Sequence, residues 1–225
     1  YLYQCYKDKL NNSNILSNIT INKEEITPTK TEKMLQLEEL KKQNDDIVGW
    51  LEIEGTNINY PVMQTTDNEY YMTHNYKKEY SAEGSIFLDK DYNWDIPSTN
   101  LLMYGHNNKN GSMFQNLMNY KDEEFYKQHP IINFTTINED KKYEIIAVFY
   151  SRVYYKNEKN VFRYYYFLNA DNKEEFDYYI NESKKASLYD TGKTAEYGEQ
   201  LLTLSTCSYH TEDGRFGVVA KKLIK

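Results

Sequence analysis

Apolar positions along this chain recur at two different periods. Met34, Leu37 and Leu40 recur at helical intervals, and Thr29 and Glu32 stand at capping-box spacing just before them, which predicts an N-terminal helix running to about Asn44. Beyond it the pattern shortens to alternating or compact apolar runs at 47–53, 58–63, 85–88, 101–104, 131–135, 143–154, 162–168, 201–206 and 216–223, which read as strands. Helical insertions fit 114–119, 123–128 and 173–185. Many short strands with a few inserted helices predict a mainly β fold with peripheral helices, closed into a barrel against which the apolar side of the first helix packs. There is no internal repeat and no linker long enough for a second domain, so residues 31–225 read as one domain. Residues 1–30, polar and rich in Asn and Lys, read as a tether or a loosely packed helix.

Chemistry concentrates in the last two strands. If the 201–207 and 215–223 runs form an antiparallel hairpin, a symmetric register sets Cys207 opposite Arg215 on one face. Alternation sends Leu202, Leu204 and Thr206 one way and Thr203, Ser205 and Cys207 the other, so the sulfur lies on the more polar side. A thiol is a strong nucleophile only as thiolate and needs a base or a positive neighbour. Arg215 supplies a permanent charge, and His106, at the end of the 101–104 strand, supplies proton chemistry near neutrality. His210 follows the cysteine closely and is a rival base, but a turn-rich loop positions a side chain less well than a strand end.

The strings Thr203-Leu-Ser-Thr-Cys207, Tyr104-Gly-His106, Glu83-Gly-Ser-Ile-Phe-Leu-Asp89 and Gly111-Ser-Met-Phe-Gln-Asn-Leu117 together resemble a sortase, specifically one of class B, over most of the chain from about Leu35 onward. The resemblance implies an eight-stranded sortase barrel and a cysteine transpeptidase without cofactor or metal. By that likeness Cys207 is the nucleophile, His106 the proton carrier and Arg215 the oxyanion stabiliser or substrate clamp. The segment Asp67-Asn-Glu-Tyr-Tyr-Met72 is similar to a family segment lining the substrate groove, which makes Asn68 and Met72, with Ser205, the candidate substrate-binding residues. The implied partners are secreted proteins bearing a C-terminal sorting signal cut after threonine, and an amine of the peptidoglycan peptide or its lipid-linked precursor. The implied location is the outer face of the plasma membrane of a Gram-positive cell, with a single N-terminal anchor outside this sequence. Class B members can carry an acid directly after the cysteine; here Ser208 stands there, so a carboxylate-assisted triad is not expected. A different cysteine peptidase or acyltransferase, or a binding module with an unreactive cysteine, are the competing readings.

Composition changes this picture little. A net charge of −7 with interspersed signs argues against a nucleic-acid partner, which needs a concentrated basic surface. Cys5 and Cys207 are far apart in sequence and are expected to be free thiols. No segment approaches the roughly 18 apolar residues of a membrane span. The 89–95 segment spaces its oxygen ligands like the start of an EF-hand, but Trp94 and Asn100 occupy the positions that require Gly and Glu. His74, His129 and His210 do not reach the cysteine at metal spacing, which sets zinc aside. The run of aromatic residues from Val161 to Phe167 reads either as a strand or as one wall of a groove.

Overall fold

Strand alternation produces two separate apolar surfaces, one lining a barrel and one covering it. The structure, a computed structural model, describes Ile15, Ile19 and residues 30–224. Among the described residues eight strands, β1 (Ile47–Glu52), β2 (Asn59–Met63), β3 (Ile86–Leu88), β4 (Asn100–Tyr104), β5 (Ile131–Thr135), β6 (Asp140–Arg152), β7 (Leu201–Cys207) and β8 (Gly214–Lys222), close in the order β1-β2-β3-β4-β7-β8-β6-β5. The pairs β2–β3 and β4–β7 are parallel and the others antiparallel. Inward positions such as Leu51, Val62, Ile86, Leu101, Met103, Leu202, Leu204, Phe216 and Val218 are fully buried in one cluster. Each such side chain contributes roughly 1.5–3 kcal/mol.

The outward positions are covered by helices. Helix α1 (Glu32–Gln43) sets Leu37 and Leu40 against Trp50, Met63 and Phe87, and the described residue Ile15, 3% exposed, joins the same cluster. Its N-cap is Thr31, which accepts from the Met34 amide, rather than Thr29, which lies outside the described residues. The short helix α2 (Glu123–Gln128) is capped by Asp122, and α3 (Lys173–Ala186) packs Phe176, Tyr179 and Ile180 on the outer face of the sheet against Phe149, Leu201 and Val219. The 114–119 insertion is a 3-10 helix, Gln115–Lys121.

One predicted strand is absent. The 162–168 segment forms a 3-10 turn at Tyr164–Tyr166, in which Tyr164 is fully buried while Tyr166 is 69% exposed. A strand would send both side chains to the same face; the turn splays them because Tyr164 meets Ser205 on β7 with its hydroxyl 2.7 Å from the serine oxygen. Cys5 and most of residues 1–30, expected as a tether, lie outside the described residues.

Candidate active site

The parallel pairing of β4 with β7 brings the histidine to the cysteine. Tyr104 is registered with Ser205, and His106 and Cys207 each follow two residues later. The strand ends are pinned to each other: Thr206 donates its hydroxyl to the Gly105 carbonyl at 2.7 Å, and the Asn107 amide donates to the Cys207 carbonyl at 3.0 Å. On the other side of β7 the antiparallel hairpin places Arg215 directly opposite Cys207, the register expected from the sequence. A row of outward residues, Phe87, Tyr104 and Ser205, crosses β3, β4 and β7 and forms the floor of a cleft of about 650 Å³. All six sequence-predicted residues, Cys207, His106, Arg215, Ser205, Asn68 and Met72, line this cleft.

The histidine is oriented by backbone. His106 Nε2 lies 2.7 Å from the carbonyl oxygen of Met72. A carbonyl only accepts, so that contact places a hydrogen on Nε2 and leaves Nδ1 as the nitrogen that gains and loses a proton. The carbonyl is itself braced. Met72 ends a 3-10 turn at Tyr70–Met72, and the Tyr71 hydroxyl donates to Asp46 at 2.8 Å and accepts from Asn44, the C-cap of α1, at 2.9 Å. Burial, with Asp46 adding to it, pushes the Tyr71 phenol far above its ordinary pKa, so it remains a donor.

Arg215 is a cation without a counter-ion. No carboxylate stands within ion-pair distance of it among the described residues. Its Nη1 donates to the Gly214 carbonyl at 3.0 Å, which leaves Nε and Nη2 to face a ligand. Arg152, by contrast, is paired with Glu158, and Arg163 donates to the carbonyls of Tyr155 and Glu158. Neither lines the cleft. Cys207 is a half-buried free thiol. Beneath it Ser205, 3% exposed, shares its hydrogen bond with Tyr164, whose phenol is raised far above its usual pKa by complete burial.

The other histidines are engaged elsewhere. His210 Nδ1 meets the Ser208 hydroxyl at 3.0 Å and its ring packs on Tyr150, off the cleft wall. His74 stacks on Tyr70, and His129 Nδ1 bonds the Glu54 carbonyl. Among the described residues no group of three His, Cys, Asp or Glu side chains is gathered as a metal site. Of the two readings of the aromatic run the wall is the one observed: Tyr165 and Tyr166 line the cleft, and the run is not a strand. One feature went unread in the sequence: Asp89 also lines the cleft, as a buried carboxylate accepting from Asn68 and from Tyr104, each at 3.0 Å.

Comparison with known proteins identifies the family. The chain belongs to the sortase family: the Sortase domain matches residues 51–223. It is 35% identical to sortase B of Listeria monocytogenes over 192 residues, 84% of this chain and 75% of that protein. The Staphylococcus aureus sortase B-substrate complex superposes with a TM-score of 0.83 at 25% identity, covering 98% of each chain, and sortase B from B. anthracis with 0.82 at 30% identity, covering 100% of each. Within the family the chain is a class B sortase, and its barrel and N-terminal helix are those of the sortase B structures. It is accordingly a sortase-type cysteine transpeptidase. The family is cell-wall associated, and no helix among the described residues is long and apolar enough to cross a membrane.

Proposed function

We propose that this chain cuts the C-terminal sorting signal of secreted proteins after a threonine and joins the new carboxyl end to an amine of the cell-wall peptide or its lipid-linked precursor, on the outer face of the plasma membrane. The observation that carries the reading is the meeting, on one cleft wall, of a half-buried thiol, an imidazole with one nitrogen held by backbone and an arginine lacking a counter-ion. That the S. aureus relative is recorded as a substrate complex supports assigning the same cleft to a peptide.

In the first half-reaction the Cys207 thiolate attacks the threonine carbonyl. The C–N bond to the next residue breaks, a thioester forms, and the His106 imidazolium gives its Nδ1 proton to the departing amine. In the second, the acceptor amine attacks the thioester, the C–S bond breaks, and Nδ1 takes the proton that the new amide nitrogen loses. Arg215 offers Nε and Nη2 to the oxyanion of both tetrahedral intermediates, and its charge persists at any physiological pH. Asn68, Met72 and Ser205, with the Tyr165 and Tyr166 wall, hold the peptide in register.

The test is turnover of a peptide library with threonine fixed at the cleaved position, with and without an added amine. Mass spectrometry should show a thioester adduct on Cys207 and its transfer to the amine. Cys207→Ala should lose the adduct entirely, and His106→Ala and Arg215→Ala should each lower kcat by at least about 100-fold with the fold retained. Wild-type rates in either of the last two variants, or an adduct that never forms, would refute the assignment.

A further inference from the structure

The cleft contains one buried charged side chain that the reaction above does not use; Asp91, the other carboxylate lining it, is exposed and paired with Lys90. Asp89 is 6% exposed, follows β3 directly, and has no cation within ion-pair distance among the described residues. A buried carboxylate without a cation is costly unless its oxygens are satisfied by hydrogen bonds. Asp89 meets that condition with donors that belong to the cleft. Oδ2 accepts from the Asn68 side-chain amide and from the Tyr104 hydroxyl, each at 3.0 Å, and Oδ1 accepts from the Asp91 backbone amide at 3.0 Å. The Asn68 carbonyl oxygen is held in turn by the Lys90 amide at 2.8 Å. Both ends of the Asn68 side chain are therefore fixed by the two residues 89 and 90, which settles which of its atoms is donor and which acceptor. Tyr104 is likewise committed as a donor, because burial and then the Asp89 charge push its phenol far above the ordinary pKa.

We propose that Asp89 is a positioning residue for substrate recognition: its carboxylate locks the Asn68 amide and the Tyr104 hydroxyl into the orientation that reads the bound peptide, and it takes no part in bond making at Cys207. The inference rests on the peptide-cleaving function proposed above. It gives the cleft a division of labour. Cys207, His106 and Arg215 occupy the end where β4 and β7 terminate and β8 begins, while Asp89, Asn68 and Tyr104 form a polar clamp toward β3. Asp89→Asn keeps the shape but replaces one acceptor oxygen with an NH2 group, which meets two donors at the Oδ2 position or one at the Oδ1 position, so at least one of the three donors loses its acceptor and the charge that holds the others is gone.

The experiment measures kcat and KM for the best-cleaved peptide of the fixed-threonine library in wild type, Asp89→Asn, Asn68→Ala and the double variant, with the alkylation rate of Cys207 as a readout independent of substrate. Loss of one hydrogen bond to a charged group predicts a KM raised roughly tenfold in Asp89→Asn. Its kcat and alkylation rate should stay within about twofold, since an interaction made equally in ground and transition states moves KM alone. Because Asp89 acts through Asn68, the double variant should show little more than the larger single effect. An unchanged KM in Asp89→Asn, or effects that simply multiply, would overturn the role. If Asp89→Asn fails to fold, Tyr104→Phe with Asn68→Ala carries the same cycle, since both donors meet the same oxygen: coupling supports the clamp and independence removes it. A wild type that cleaves no peptide while its Cys207 still alkylates overturns the underlying function instead.

Discussion

Gly84 shows how the geometry of a catalytic imidazole depends on a residue with no side chain. Its φ of +64° lies in the left-handed region, and a Cβ built there would stand 2.7 Å from the Met72 carbonyl oxygen, 2.8 Å from that of Tyr71 and 3.0 Å from His106 Cδ2. The first of these is the oxygen that holds Nε2 of the histidine. Gly84→Ala should therefore act twice. Left-handed backbone alone costs a non-glycine residue at least about 1 kcal/mol, readable as a lowered Tm. Displacing the carbonyl tilts the imidazole, and misplacement on the ångström scale predicts a kcat/KM down by roughly 10- to 100-fold at temperatures where the variant is fully folded. A variant that loses stability and keeps full activity would show that the Met72 carbonyl does not set the ring. The facing of Cys207 and Arg215 was legible in the sequence because strand parity and hairpin symmetry fix which residues oppose each other, whereas His106 was singled out by its place at a strand end and by the resemblance, the β4–β7 pairing that brings it to the cysteine having no local signature. Asp89 was not legible, because its carboxylate is engaged by Asn68 and Tyr104, 21 and 15 residues away, and no local pattern marks such a contact.

The 3-10 turn at Tyr70–Met72 is a small element carrying an unusually large share of the site, since it delivers Met72 and the carbonyl that orients His106. Asp67 initiates it: one carboxylate oxygen accepts from the amides of Glu69 and Tyr70, both at 2.7 Å. The backbone donors at Tyr70 and then Glu69 hold the Asp67 carboxyl below its ordinary value of 3.8. A carboxyl depressed in the folded state contributes stability that is fully present above its unfolded value, about pH 4, and is lost as the pH falls through the folded value. The amide resonances of Glu69 and Tyr70 should accordingly be constant from neutrality to about pH 5 and move together only below about pH 4. Asp67→Asn should abolish that acid transition. A midpoint at or above the ordinary value, or a transition that survives the substitution, would show that these bonds do not govern the turn. Elements of this kind are the part of the fold that periodicity does not reveal. Eight of the nine predicted runs are strands, but a single 3-10 turn leaves no repeat, and for that reason the 162–168 run could be read as a strand as readily as a groove wall.

For the molecule as a whole, β7 lies between β4 and β8, so its two faces belong to two different structures at once. Leu202 and Leu204 point into the barrel and are fully buried, while Thr203 and Ser205 face outward, bonded to Tyr179 and Tyr164, and Cys207 follows with the same parity. The strand that presents the nucleophile is thereby clamped by the core behind it and by the phenols in front of it. This separation of faces makes a whole-molecule prediction. Leu204→Ala leaves a cavity in the barrel interior and should destabilise the protein by about 2–5 kcal/mol. In a chain of this length each kcal/mol lowers Tm by roughly 2–4 °C. Calorimetry should record that loss for the global transition, because the barrel closes through β7 and cannot open locally without it. Yet at a temperature well below the new transition, the rate at which iodoacetamide alkylates Cys207 should stay within about twofold of wild type, since the leucine touches the opposite side of the strand from the sulfur. An alkylation rate that changes several-fold in the folded variant would mean that barrel packing and thiol environment are one coupled system, and that the outward polar row does not hold the strand end by itself.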